Sequence, residues 1–131
     1  YWGSDPIGTS MGGHGLHLRP RDLAKIGQLS LNNGKWNGIQ VVDSTWIAQS
    51  TSLQTDMGDW GDENGWEYGY YWWLIPEWDA YTAWGHGGNY IFVKPDQDLV
   101  IIMTALPDTN DEMMGSTLDK FQDLIKPLVE G

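Results

Sequence analysis

Three glycines flank one histidine at Gly85-His86-Gly87-Gly88, between an aromatic run ending in Trp84 and the β-prone segment Asn89-Tyr90-Ile91-Phe92-Val93. Glycines at the start of a strand remove Cβ bulk, so another backbone or a ligand can come close. His86 is the side chain here best suited to move a proton near neutral pH. Two local readings stand side by side: a β-bulge whose histidine is half-buried, and a strand edge against which a substrate lies. The other candidate groups are weaker. His14-x-x-His17 sits in an irregular Gly-rich segment with no third ligand nearby, so solvent or a backbone hydrogen bond explains it better than zinc. Asp96-x-Asp98 has the spacing of a carboxylate pair, but it falls in an expected tight turn, where Asp is favoured for conformational reasons. Residues 51–67 carry Asp56, Asp59, Asp62, Glu63 and Glu67 among Gly and Trp without periodicity. Carboxylates at short spacing suit calcium. The alternating Asp pattern of an EF-hand loop is missing, and the segment reads as a long solvated loop flanking a pocket.

The elements that must position these groups follow from patterning. Residues 1–18 are Gly-rich and irregular, closing in a short extended piece. A helix then starts at Pro20, with Asp22 in its first turn and Gly34 as a stop signal; Leu23, Ile26 and Leu31 form its stripe, weakened by Gly27. Trp36-Asn37-Gly38-Ile39 reads as a turn into Gln40-Val41-Val42. Asp43 or Ser44 caps a short helix to Ser50, with Trp46 and Ile47 as its buried face. Strands are expected over 68–74, 81–84, 89–93 and 99–105, joined by the turns Pro76-Glu77-Trp78-Asp79 and Pro95-Asp96-Gln97-Asp98. Apolar on both faces, 99–105 reads as an inner strand. After a polar loop through Asp111, a final helix over 113–129 offers Leu118, Phe121, Leu124, Ile125 and Leu128, with Pro127 disturbing its last turn. Short connections make the strands antiparallel, and the expected class is α+β: an antiparallel sheet with a C-terminal helix packed on one face.

Composition narrows the function. A net charge of −11 with only seven basic residues argues against nucleic acid and against anionic membrane surfaces. The absence of cysteine excludes disulfides and thiolate metal sites. No apolar run reaches the roughly 20 residues of a spanning helix. Nine tryptophans, several tyrosines and many aspartates also fit a non-catalytic carbohydrate-binding module, in which aromatic faces stack on sugar rings.

In order, Gly13-His14-Gly15-Leu16, Arg21-Asp22-Leu23-Ala24-Lys25-Ile26-Gly27, Gly34-x-Trp36-x-Gly38, Tyr68-Gly69-Tyr70-x-Trp72-Trp73, Gly85-His86-Gly87-Gly88 and Pro95-Asp96-x-Asp98-Leu99-Val100 resemble the C-terminal portion of the serine β-lactamase-like family. That family includes class C β-lactamases, penicillin-binding proteins, esterases and 6-aminohexanoate-oligomer hydrolases. The resemblance runs from about Gly12 to the final helix, making residues 1–131 the C-terminal segment of such a domain. It implies acyl transfer on an ester, amide or peptide through an acyl-enzyme, with no cofactor and no metal. His86-Gly87-Gly88 matches the family's His-x-Gly motif. By that match the Asn89 backbone N–H is an oxyanion-hole donor, and His86 orients substrate or assists the proton relay. Gly87, Gly88, Trp84 and Trp72 then adjoin the substrate, with Trp73 and the 51–67 loop as further walls. Histidine in place of lysine in this motif points to the esterase and amidohydrolase branches.

Neither Ser-x-x-Lys nor Tyr-x-Asn, the family's first two motifs, occurs in these residues; Ser116 has Lys120 at the wrong spacing. The resemblance therefore implies that the nucleophile belongs to an N-terminal part of the same fold, and that this chain alone is inactive. It also implies an uncovered sheet edge that promotes homo-oligomers or strand swapping. It leans toward a periplasmic or secreted setting.

Overall fold

A computed structural model describes residues 1–105 and 112–130, excepting the side chains of 112–116. The polar loop expected up to Asp111 lies largely outside the described residues. Period-two alternation builds the centre of the molecule. Strands β3 (Glu67–Tyr68), β4 (Trp73–Ile75), β5 (Ala80–Gly85), β6 (Asn89–Lys94) and β7 (Leu99–Met103) pair in sequence order as one antiparallel sheet. Ile75, Ala80, Tyr90 and Phe92 face one side, where the final helix α4 (Glu112–Val129) packs through Leu118, Phe121 and Ile125. Leu74, Tyr81 and Val93 face the other, with Ile91 and Val100, under the first helix α1 (Pro20–Leu31). The fold is α+β, with antiparallel sheets and a C-terminal helix. Its five-stranded sheet lies between two helices.

Gly27, which weakens the apolar stripe of α1 on paper, is where that helix meets the sheet. A Cβ there would sit 2.6 Å from Val100 Cγ1 and 3.0 Å from Ile91 Cγ2, so only glycine permits this approach. One turn on, Ser30 Oγ and the Tyr81 hydroxyl lie 2.9 Å apart in a buried hydrogen bond that fixes α1 to β5. A small hairpin follows, β1 (Lys35–Trp36) and β2 (Ile39–Gln40), turned by Asn37 and Gly38, both at positive φ. Helix α2 (Ser44–Ser50) is capped by Asp43, whose carboxylate accepts from Thr45 N at 2.8 Å.

Several expectations change. The segment 68–74 is two strands, because the chain reverses between Gly69 and Trp72, with Gly69 N donating to Trp72 O at 2.8 Å and Tyr71 at φ 63°. Gly69 permits this by lying directly on the Ser50 carbonyl, where no Cβ fits. The 51–67 loop contains a helix, α3 (Gly58–Asn64), closed by Gly65 at φ 66°; at two turns it is too short to show a period. Trp46 is 52% exposed and stacks on Tyr70 at 5.4 Å, leaving Ile47 as the buried residue of the expected pair. On α4 the inward face is Leu118, Phe121 and Ile125 with Val129 beside them, a strict i, i+3/i+4 row, whereas Leu124 and Leu128 are 61% and 58% exposed. The expected inner strand is the outermost among the described residues: β7 pairs with β6 and is half-buried throughout.

Two predictions follow from this packing. Gly27→Ala gains roughly 1 kcal/mol of helix propensity and loses roughly 1–3 kcal/mol to overpacking against Val100. Denaturant unfolding should show no gain of stability for Gly27→Ala in the wild-type background and a gain in a Val100→Ala background; a Gly27→Ala protein about 1 kcal/mol more stable than wild type contradicts the close approach. Tyr90, only 1% exposed, has its phenol pushed up from 10.0 to about 12 by burial, with Thr117 acting in the opposite direction. Because the folded state favours the protonated phenol, this contribution is complete below pH 10 and is lost as pH rises toward 12, on the order of 2–3 kcal/mol at 1.36 kcal/mol per unit. Tyr81 is raised by burial in the same sense, against its bond to Ser30. The unfolding free energy of Tyr90→Phe should therefore fall less steeply between pH 10 and 12 than that of wild type, and identical slopes would refute this.

Candidate active-site corner

Antiparallel pairing sorts the connections to two ends of the sheet. The four-residue turns after β4 and β6 lie at one end, following the pairs Ile75↔Ala80 and Lys94↔Leu99. Lys94, 5% exposed, stitches them together there, with Nζ donating to Trp78 O at 2.6 Å and pairing with Asp96 at 2.9 Å. Asp96 and Asp98 thus sit in a structural turn, Asp98 at φ 51°, at the end away from the glycine cluster. The reversal at 69–72 and the corner at 86–88 lie at the opposite end, beside the pair Gly85↔Asn89.

That corner is tightly specified. Gly88 N donates to Gly85 O at 3.3 Å, and Gly87 and Gly88 hold φ of 78° and 84°, which side-chain-bearing residues rarely adopt. Gly88 is buried, and a Cβ on it would lie 3.0 Å from Thr117 Cγ2 and 3.4 Å from Ala105 Cβ. The Asn89 side chain secures the loop, Nδ2 donating to His86 O at 2.9 Å. Just inside, Trp84 and Tyr90 are cross-strand partners stacked at 5.8 Å and 10°.

Two cavities meet at this corner, sharing Trp84 and Gly85. The larger, of about 480 Å³, is walled by Trp72, Trp84, Leu23 and Ile26, and its polar lining comes from His14, Tyr68, Tyr71 and Asn89. The smaller, of about 340 Å³, is lined by Met57, Trp60, Trp73, Trp84, Gly85 and His86. Asn89, Trp72 and Trp84 are therefore gathered on one cavity, and His86, which is exposed, lies on the other together with Trp73. Gly87 and Gly88 shape the turn between. His14, Tyr68 and Tyr71 are lining residues that the sequence reading left out. His14 reaches the cavity because residues 1–17 fold back on themselves, Gly3 N bonding Gly15 O at 2.7 Å and Trp2 Nε1 bonding Met11 O at 2.8 Å. Burial raises the Tyr68 phenol, with nearby Tyr71 adding to the effect. Among the described residues no group of three or more His, Asp or Glu side chains is placed to hold a metal ion.

Of the nine tryptophans only Trp2 and Trp46 are exposed. Trp60, Trp66, Trp73 and Trp84 pack on one another with centroids 5.1–6.3 Å apart, mostly edge to face. Most of the indole content that suggested a sugar-stacking surface is turned away from open solvent, into ring–ring contacts and the lining of the two cavities.

No protein-family model matches the chain, and no curated protein matches it. Among solved structures, a chain described as "Putative 6-aminohexanoate-dimer hydrolase from Bacillus anthracis" superposes with a TM-score of 0.66 at 26% identity, over 95% of this chain. The match takes in 34% of that protein, so the present chain spans about a third of its length. The chain shares its fold with part of a hydrolase of the β-lactamase-like class.

Proposed function

We propose that residues 1–131 form the C-terminal segment of a β-lactamase-like serine hydrolase that cleaves ester or amide bonds through an acyl-enzyme. The observation that carries this reading is the glycine corner at Gly85–Asn89, set at the mouth of an apolar cavity in a chain of hydrolase-like fold. The Asn89 backbone N–H supplies one oxyanion donor, stabilising charge that appears only in the tetrahedral transition state; such a donor is typically worth about 10²–10³ in rate. His86 orients the substrate or relays a proton to the leaving group. The lining of the larger cavity contains no Lys or Arg, and its walls suit an apolar acyl group rather than an anionic one. The activated serine and its base come from an N-terminal part of the same fold, because no Ser-x-x-Lys occurs in these residues.

The isolated chain should hydrolyse p-nitrophenyl acetate no faster than the free imidazoles of its histidines would, and intact-mass spectrometry should find no acylated serine. Stoichiometric acylation of any serine in these 131 residues would overturn the assignment.

A further inference from the structure

The smaller cavity has a chemistry of its own. Its walls include three indoles: Trp60 from α3, Trp73 from β4 and Trp84 from β5. Trp60 lies 5.1 Å from Trp73 at 65° and 6.2 Å from Trp84 at 31°, and Trp73 lies 5.4 Å from Trp84 at 55°. Three aromatic rings so inclined contribute non-parallel surfaces to one partly open cavity of about 340 Å³, a volume ample for a trimethylammonium group, and the Met57 thioether adds a polarizable surface. The wall on the α3 side is strongly acidic. Residues 51–67 hold Asp56, Asp59, Asp62, Glu63 and Glu67 and no Lys or Arg. Asp56, Asp59, Asp62 and Glu63 are exposed and, among the described residues, none of the four is in an ion pair.

We propose that Trp60, Trp73 and Trp84 form an aromatic cage for an organic cation, a quaternary or alkylated ammonium group. The negative faces of indoles attract such a cation, and the attraction is strongest for tryptophan and for a desolvated site. The acidic helix beside the cage concentrates cations at its mouth, in a chain whose net charge is −11. A neutral apolar guest would gain the same burial without either electrostatic contribution. The cage shares Trp84 and His86 with the proposed hydrolase site but requires no nucleophile from elsewhere, so cation binding and acyl transfer can fail separately.

The test is a titration of the intact chain, following tryptophan fluorescence, with choline and with its neutral isostere 3,3-dimethyl-1-butanol. Choline should give a saturable change and bind about tenfold more tightly than the isostere. Trp60→Leu should abolish the choline response. The combined surface variant Asp59→Asn, Asp62→Asn, Glu63→Gln should weaken choline several-fold and leave the isostere unaffected. No saturable response, equal affinity for the two probes, or choline affinity surviving in a folded Trp60→Leu protein would overturn the proposal. If Trp60→Leu does not fold, the surface variant decides, and unchanged choline affinity in it counts against the cage.

Discussion

The stack of Trp84, Tyr90 and Phe121 is the interaction on which the rest of the structure depends. Trp84 lies on Tyr90 at 10°, and Tyr90 lies on Phe121 at 4.2 Å and 8°, so one aromatic column links β5, β6 and α4. Tyr90 and Phe121 are essentially inaccessible to solvent. Trp66 meets Phe121 edge-on at 6.3 Å, which brings the segment after α3 into the same column. The glycine corner begins one residue beyond Trp84 and ends one residue before Tyr90. Its position is therefore set by packing that glycine itself cannot supply.

This arrangement divides the labour within a small domain. The end of the sheet stitched by Lys94 contains proline turns and a buried cation with both a carbonyl and a carboxylate for partners, beside a cavity of about 410 Å³ that Pro76, Asp79 and Pro95 help to line. The opposite end holds glycines at positive φ, two further cavities and exposed imidazoles. Positive φ costs glycine little, so Gly87 and Gly88 let the chain turn sharply there with no side chain over the corner. The close approach of α1 at Gly27 serves that end of the sheet, because Leu23 and Ile26 of α1 line the larger cavity together with Ile91 of β6.

Much of the fold is legible in the residues because local rules and tertiary packing agree. The Pro-x-x-Asp turns at 76–79 and 95–98, the Asn37-Gly38 hairpin, the Asp43 cap and the start of α1 at Pro20 each have a short-range cause. The chain hides what depends on distant partners. Nothing near Gly69 announces that it rests on the Ser50 carbonyl, so an aromatic run conceals a reversal. Trp46 reads as core by type, yet finds its partner in Tyr70 at the surface. At the site, the glycine corner and the nearness of Trp72 and Trp84 are readable from ordered motifs. The entry of His14 into the larger cavity, and the separation of His86 from Asn89, arise from the folding back of residues 1–17 and from the turn at 86–88. Neither leaves a local pattern.

We assign the Asn89 N–H to a developing oxyanion, an assignment that a bound analogue of that charge can check. It is tested most directly by the crystal structure of a longer polypeptide, carrying a Ser-x-x-Lys segment ahead of these residues, after phosphonylation of its serine. A phosphonyl oxygen should lie 2.7–3.1 Å from Asn89 N, the distance expected of an oxyanion donor. An adduct whose oxygens all lie beyond hydrogen-bond reach of Asn89 N, with the Gly85–Asn89 corner unchanged, would contradict it.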